Sequence, residues 1–340
     1  VNRSQPADIF KTDVYVDDLL YMSVPNDLPR ADLLERGVSE GRGGFRFANP
    51  AVYLDGVSHS LVLRFPDGSS SDAIAISATA RRAAPVFYAD PFPRRPVTIV
   101  VPVYNEYRVT VACLSSVLEH SQGIDYEVIV ADDCSDDLTR SLEQRMHNVA
   151  VVRGESNRGF LRNCNAAAAR ASGDYILFLN NDTAVCAGWL APLVELLDSQ
   201  PDVGVTGPKL LFADGRLQEA GGIMWQDGSA WNFGRADDPD KSEYNYLKDV
   251  DYISGACLMI RRSLWQHIGG FDDRYAPAYY EDADIAFAAR AAGYRVVYQP
   301  QSQVFHFEGI SNGTDLEAGI KQHQVTNQAV FRDKWSDTLD

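Results

Sequence analysis

The sequence predicts an α/β fold: a mostly parallel, Rossmann-like sheet with helices on both faces, preceded by a small all-β, sandwich-like domain. Three observations carry this. From residue 97 onward, short apolar runs alternate with amphipathic segments of helical length, the pattern of strands buried on both faces. Before residue 95 the runs alternate apolar and polar residues, the period of half-buried strands. Between the two, Pro91-Phe92-Pro93-Arg94-Arg95-Pro96 is a stiff connector, which sets the domains at residues 1–95 and 96–340.

In the first domain, Asp13-Val14-Tyr15-Val16-Asp17 and Ser60-Leu61-Val62-Leu63-Arg64-Phe65 read as strands. Gly41-Arg42-Gly43-Gly44, Asp55-Gly56 and Pro66-Asp67-Gly68-Ser69-Ser70 are turn signals, and a helical turn fits residues 30–36. In the second, strands are expected over residues 97–101, 126–131, 149–152 and 175–179, with helices over 107–120, 138–146, 160–171 and 189–199. Residues 203–212 form a further strand. Residues 225–249, rich in Asp, Gly, Asn and Tyr, lack periodicity and are expected to be a long, mobile, functional loop. A strand at 256–260, a helix at 262–268 closed by Gly269-Gly270, a helix at 282–292 and a strand at 296–299 complete the pattern.

Composition sets the outer bounds. The 340 residues are long for one domain, and with 45% hydrophobic residues they can bury a sizeable core. A formal net charge of −16 argues against a nucleic-acid partner. It leaves room for a nucleotide ligand, because a bound metal or a helix N-terminus can reverse the potential at one site. Five cysteines without CxxC spacing read as reduced, mostly buried thiols, not as a disulfide frame or a zinc site. No run approaches the roughly 20 apolar residues of a membrane span. The start, Val1-Asn2-Arg3-Ser4-Gln5, has no signal-peptide shape and no initiator Met. A cytoplasmic location, peripheral to the inner membrane face at most, and a fragment of a longer chain are therefore expected.

Ligands of parallel sheets bind beyond the carboxyl ends of the strands, so the strand exits hold the candidate residues. The first exit is Pro102-Val103-Tyr104-Asn105-Glu106. The second, Asp132-Asp133-Cys134-Ser135-Asp136-Asp137, reads either as an acidic cap for the next helix or as a carboxylate for a base or ribose, with Glu106 able to act alike. In Asn157-Arg158-Gly159-Phe160, glycine allows close backbone approach, a helix N-terminus favours phosphate and Arg158 adds charge. Leu179-Asn180-Asn181-Asp182-Thr183 puts a carboxylate at the mouth of a buried strand, suited to a divalent cation. Tyr280-Glu281-Asp282-Ala283-Asp284 opens a helix with three acids, suited to a general base.

With Gly269-Gly270-Phe271-Asp272, these separated signatures resemble the family 2 glycosyltransferases of GT-A fold over roughly residues 97 to 310. The resemblance implies a nucleoside pocket from Pro102, Tyr104, Glu106 and Asp132, with Asn157, Arg158, Gly159 and Asn181 completing the nucleotide site. It implies a divalent cation, Mn²⁺ or Mg²⁺, on Asp182, and Asp282 as the general base beside Glu281. The familiar Asp-x-Asp is here Asn180-Asn181-Asp182, which leaves one carboxylate. His306 reads as a histidine packed among aromatics, but the family resemblance makes it a supplementary metal ligand. Trp225, Trp231, Tyr279 and Tyr280 offer flat faces for acceptor sugars, with core packing as the plainer reading. Asp284 either orients the base, touches the acceptor or simply complements the helix dipole.

The implied activity is inverting transfer from a UDP- or dTDP-sugar to a hydroxyl of a glycan or lipid-linked acceptor, in synthesis of bacterial surface polysaccharide such as O-antigen. A partner glycosyltransferase or a second copy would dock through the β-domain. The competing reading is a catalytically silent sugar-nucleotide or glycan-binding module, motivated by Asn180 and opposed by the intact Asp182, Glu281 and Asp282. A sugar-1-phosphate nucleotidyltransferase is disfavoured, because no Gly-rich, Arg- and Lys-bearing loop follows the first strand.

Overall fold

The computed structural model describes residues 11–16, 19–25, 28–29, 42–44, 58–65, 67–77, 96–146, 149–307 and 322–339. The chain divides into two compact units, Val1–Ala83 and Ala84–Asp340. In the first, β1 (Lys11–Val16), β2 (Leu19–Pro25), β5 (Ser58–Arg64) and β6 (Ile74–Ser77) form an antiparallel sheet in the order β2-β1-β5-β6. β3 (Leu28–Pro29) pairs with β4 (Arg42–Gly44). Val14 and Leu61 are buried, as their place in the alternating pattern requires. The helical turn expected at 30–36 lies outside the described residues.

The second unit is built on β7 (Val97–Val103), β8 (Tyr126–Asp132), β9 (Ala150–Arg153) and β10 (Tyr175–Leu179), all parallel in the order β10-β7-β8-β9. Every residue of β7 and β10 is buried, because helices cover both faces. These helices are α1 (Tyr107–His120), α2 (Leu142–Arg145, entered through a 3₁₀ turn) and α3 (Phe160–Ala168). β11 (Thr183–Val185) and α4 (Leu190–Ser199) lead into the nine-residue, fully buried β12 (Val203–Leu211).

Beyond β10 the sheet turns mixed. β17 (Cys257–Arg261) lies antiparallel between β10 and β12, followed by α5 (Arg262–Ile268). β18 (Arg295–His306) runs parallel to β12 and antiparallel to β11. It is twelve residues long where four were expected. Because β17 is reversed, the turn that precedes it sits at the carboxyl ends of β7 and β10, and Asn180 N–H donates to Ala256 O at 2.9 Å. Phe178, Trp265 and Phe271 pack at centroid separations of 4.8 to 4.9 Å and tie α5 to β10.

The segment 225–249 is not the long mobile loop that its composition suggests. Together with the strand before it, it is a chain of short ordered pieces. These are β13 (Leu217–Glu219), a hairpin of β14 (Gly222–Met224) and β15 (Ala230–Asn232), a 3₁₀ turn (Ser242–Tyr244) and β16 (Lys248–Asp249). Strands of two or three residues leave no readable period, so the order comes from anchors instead. The buried Lys209 ammonium donates to Pro239 O (3.0 Å) and Asn245 Oδ1 (2.6 Å), and Tyr298 OH donates to Tyr244 O (2.9 Å). α6 (Glu281–Ala291) follows, and after β18 come α7 (Gln322–Lys334) and α8 (Ser336–Leu339). These last two helices had no counterpart in the sequence reading. Among the described residues no helix is long and apolar enough to cross a membrane.

Candidate active site

The strand exits, the turn before β17 and the start of α6 enclose a cleft of 390 Å³. Of the residues singled out in the sequence, Pro102, Tyr104, Asn157, Gly159, Asn181, Asp182, Tyr279, Tyr280, Glu281, Asp282 and His306 line it. Glu106, Asp132, Arg158, Trp225, Trp231 and Asp284 do not.

Each departure has a physical reason. Asp132 is fully buried, and both its oxygens are taken: Oδ2 by Arg153 Nε at 2.6 Å, Oδ1 by the Ser135 N–H at 2.9 Å. Arg153 continues to Glu143 at 3.1 Å, so Asp132 ties β8 to β9 and α2 and presents nothing to a nucleoside. Its neighbour Asp133 faces the cleft instead. Asp133 accepts from the N–H groups of Arg158 and Gly159, each at 2.8 Å, while burial pushes its carboxyl above the usual range. Those two donors are therefore spent on Asp133 and are not open to a phosphate, and Arg158 is exposed and does not line the cleft. Gly159, at φ +83°, is required for another reason: a Cβ there would lie 2.7 Å from Pro277 Cβ. Glu106 is exposed, with φ +56° at the entry to α1.

Trp225 and Trp231 are 48% and 61% exposed and make an edge-to-face pair at 5.6 Å. Ala230 and Asn232 line the cleft, so the pleat of β15 turns Trp231 to the other face. Asp284 is buried against α7 and the residue after it, accepting from Lys334 Nζ, Trp335 Nε1 (2.8 Å) and Tyr275 OH (3.0 Å). It locks α6 to the C-terminal helices and does not reach an acceptor.

On the strand side, Asn181 is held by a 3.1 Å hydrogen bond from its Nδ2 to Thr110 Oγ1. Asp182 is 5% exposed, and the register Thr183↔His306 between β11 and β18 brings the imidazole beside it. Asp182 Oδ1 lies 3.4 Å from His306 Nε2 and accepts no hydrogen bond; Asn180 Oδ1 likewise has no partner. Buried polar atoms are rarely left so. Among the described residues no cluster of three or more His, Cys, Asp or Glu side chains is set for a metal. The unpartnered oxygens beside an imidazole nonetheless fit a cation that draws its other ligands from a bound diphosphate and water.

On the acid side, Tyr279 and Tyr280 precede α6 in the left-handed region, at φ +74° and +72°. Non-glycine residues persist there only when their surroundings over-determine them. Asn327 of α7 does so, its Nδ2 facing the carbonyls of Tyr275, Ala278 and Tyr279 at 2.9 to 3.0 Å, as does Tyr280 OH donating to Gly228 O at 2.8 Å. Asp282 is half-buried. Its Oδ2 accepts the Gly255 N–H at 2.9 Å and its Oδ1 the Ala283 N–H at 2.8 Å. Desolvation outweighs these donors and raises its pKa. Glu281 is buried, with Oε2 unpartnered, and its pKa is pushed well up by desolvation and by the Asp282 charge. Both carboxyls are thus shifted toward the protonated form, Glu281 the more strongly. Behind them Glu219 of β13, 2% exposed, accepts from the Ser254 N–H at 3.2 Å, and burial raises its pKa to about 8.

Asp133, Gln218, Glu219, Gly255 and Asn327 were missed in the sequence. Only Asp133 had a signal, as the second acid of a strand-end pair.

A carboxyl group of raised basicity and a cation-receptive carboxylate-imidazole pair share one cleft. Residues 98–269 match the family described as Glycosyl transferase family 2. The chain belongs to that family. Its fold is GT-A: it resembles GalNAc-T7 solved with UDP, GalNAc and Mn²⁺, with a TM-score of 0.59 and 17% identity over 72% of this chain and 50% of that one. Among curated relatives, the O-antigen biosynthesis protein RfbC of Myxococcus xanthus is 30% identical over 251 residues, 70% of this chain but 20% of that protein. The N-acetylglucosaminyl-diphospho-decaprenol L-rhamnosyltransferase of Mycobacterium tuberculosis is 27% identical over 236 residues, 62% of this chain and 75% of the enzyme. This family 2 glycosyltransferase thus has relatives named for O-antigen biosynthesis and for rhamnosyl transfer. The matched family interval ends before Asp282 and His306.

Proposed function

We propose that the protein is an inverting, divalent-cation-dependent glycosyltransferase. It moves a sugar from a UDP- or dTDP-sugar to a hydroxyl of a glycan or lipid-linked acceptor, in the cytoplasmic synthesis of bacterial surface polysaccharide. The observation that carries this reading is the single cleft shared by Asp182 with His306 and by Glu281 with Asp282. Asp182 and His306 would hold Mn²⁺ or Mg²⁺. That ion, when bound, neutralises the charge that grows on the departing diphosphate.

The chain's own groups do the rest. Tyr104, half-exposed at the cleft edge, offers its ring face to the nucleoside, beside Pro102 and Asn181. Asp282 takes the proton from the acceptor hydroxyl as that oxygen attacks. Its raised pKa makes it a stronger base than an exposed aspartate, and the two backbone N–H donors keep its lone pairs oriented. Burial and the Asp282 charge favour the protonated form of Glu281, which avoids a second charge beside the base. Attack in one step from the face opposite the leaving group inverts the anomeric centre. Tyr279 and Tyr280 form the wall nearest the base and would contact the acceptor sugar.

The β-rich unit would position an acceptor or dock a partner enzyme through β2 and β6, the outer strands of its sheet among the described residues. Every residue proposed to touch the nucleotide falls after residue 96. A chain beginning near Pro93 should therefore bind UDP with the affinity of the whole protein, which calorimetry can check.

The deciding experiment is a panel of UDP-, dTDP- and GDP-sugars assayed for nucleoside diphosphate release, with and without Mn²⁺. Release with one donor only in the presence of the ion supports the proposal. Binding without release for every donor and acceptor mixture would favour the silent module, and release unaffected by a chelator would remove the cation from the reading.

A further inference from the structure

The residue that faces the far side of the His306 ring lies 88 positions away in the sequence. Gln218 is the middle residue of β13, a strand held by the antiparallel pairs Leu210↔Glu219 and Leu211↔Leu217 with β12. The preceding Leu217 is fully buried, its N–H donating to Asp237 O and its carbonyl accepting from Ala236 N. The amide of Gln218 is thus carried on a fixed strut and is itself 2% exposed. Its Oε1 stands 3.0 Å from His306 Nδ1.

An amide oxygen only accepts, so His306 Nδ1 must carry the hydrogen. In a neutral imidazole the other nitrogen then holds a lone pair. That nitrogen, Nε2, faces Asp182 Oδ1 at 3.4 Å, and Asp182 Oδ1 accepts no hydrogen bond. In that neutral form two lone-pair atoms face one another in a largely buried place. Such an arrangement repels unless a positive charge sits against both. An acceptor for the N–H of the outer nitrogen of a ligating histidine is how proteins choose the ring nitrogen given to a cation.

We propose that Gln218 is the positioning residue of the cation site: by accepting from Nδ1 it holds His306 in the Nδ1–H tautomer and aims the Nε2 lone pair, with Asp182, at one divalent ion. This rests on the cation reading of Asp182 and His306 given above. Gln218 also lines the cleft, but the role assigned to it runs through the imidazole. The inference also gives the two unlike neighbours on β13 separate tasks, since the strand pleat sends Gln218 to His306 while Glu219 supports the Ser254–Gly255 turn under Asp282.

The first test needs no metal, and its one substitution serves only to assign a signal. Long-range ¹H–¹⁵N spectra of the metal-free, ¹⁵N-labelled protein in mildly alkaline buffer report the tautomer of each of the six histidines, with His306→Ala assigning the signal. A protonated Nδ1 with a lone pair on Nε2 is expected. A protonated Nε2, or an averaged pair of nitrogens, overturns the proposal, because the amide would then be turned over or idle. The second test measures Mn²⁺ affinity by calorimetry in the presence of UDP. Gln218→Leu should weaken it about 10–100-fold, Gln218→Glu should restore most of it, and UDP affinity in chelator should be equal in all three proteins. Unchanged Mn²⁺ affinity in a folded Gln218→Leu overturns the proposal. A parent protein that binds no Mn²⁺, or binds it as well after Asp182→Ala, removes the cation reading itself and the inference with it. If neither Gln218 variant folds, the spectrum of the parent protein still decides.

Discussion

Asn180, Asn181 and Asp182 follow directly from the last residue of β10, whereas Glu281 and Asp282 depend on groups far away in the chain. Asp182 is where it is because a buried parallel strand ends one turn earlier, and its neighbours Asn181 and Thr183 are fixed to α1 and β18. Asp282 is held by the Gly255 N–H, 27 residues away, and the strained turn before it by Asn327, 48 residues from Tyr279. One wall of the cleft is local in sequence and the other is tertiary. A wall that follows from strand registry tolerates change around it, because many backbone hydrogen bonds set it at once. A wall held by a few side chains can be loosened one contact at a time, without harm to the other.

The largest effect should come from the acid wall itself. Asp282→Asn keeps shape and should keep nucleotide affinity, but it cannot take the proton; transfer should fall about 10²–10⁴-fold in a product assay. In the parent protein the rate should rise with pH as Asp282 loses its proton, over a range above that of an ordinary aspartate, since burial raises its pKa. Near-normal transfer by the variant would mean that the base lies elsewhere.

Next comes the strand wall. Asp182→Ala should remove the Mn²⁺-dependent tightening of UDP binding. The loss should exceed the roughly 10–100-fold typical of a group one layer out from a metal. His306→Ala should do the same to a smaller degree. Titration calorimetry with and without chelator separates these from general weakening. Equal tightening in the parent and in Asp182→Ala would dissolve the distinction drawn between the two walls.

A change outside the cleft should then divide them. Asn327→Ala leaves the carbonyls of Tyr275, Ala278 and Tyr279 without their shared donor, which should cost about 1–3 kcal/mol in denaturant unfolding. Transfer should drop while UDP and Mn²⁺ affinities hold, because only the turn carrying Tyr279 and Tyr280 is released. Loss of nucleotide affinity in a folded Asn327→Ala would show that the walls move as one.

The smallest effect concerns Glu219 beneath the acid wall. Its folded pKa is raised to about 8 by burial, so the folded state favours the protonated acid. The stability it supplies is full below the ordinary carboxylate range and is lost as pH rises through about 8. Glu219→Gln should therefore flatten the fall of Tm between mildly acidic and mildly alkaline buffer. Parallel Tm curves for the two proteins would mean that Glu219 does not titrate across that interval.

Much of this molecule was legible in the chain alone, and the reason is periodicity. Fully buried strands such as β7 and β10 write themselves as unbroken apolar runs, and α1 carries a clear amphipathic pattern over its whole length. The strand exits follow from that, and the family resemblance then assigned Pro102, Tyr104, Asn181 and Asp182 to a nucleotide and metal site; these four line the cleft, while Glu106 and Asp132, assigned with them, do not. The two acids at the start of α6 were visible because a helix start concentrates them. What was not legible shares one physical cause: hydrogen bonds between residues distant in sequence leave no pattern in either. Asp132 looked as available as Asp133 until Arg153 took one and the Asn157–Gly159 turn took the other. Asp284 looked like Asp282 until Lys334 and Trp335 closed on it from a helix with no readable period. Trp225 and Trp231 were separated from the cleft by the pleat of strands too short to announce themselves.

The sequence by itself determined the fold class, the alternation of strands and helices between residues 97 and 199, and which strand ends would carry acid and amide groups, because burial on both faces of a sheet demands particular residue types at particular spacings. The tertiary structure alone decided which of those acids are free to act. That choice depends on where β18 delivers His306, where β13 delivers Gln218 and Glu219, and where α7 delivers Asn327. A carboxylate's role is set by the donors and charges within a few ångströms, and those arrive from anywhere in the chain.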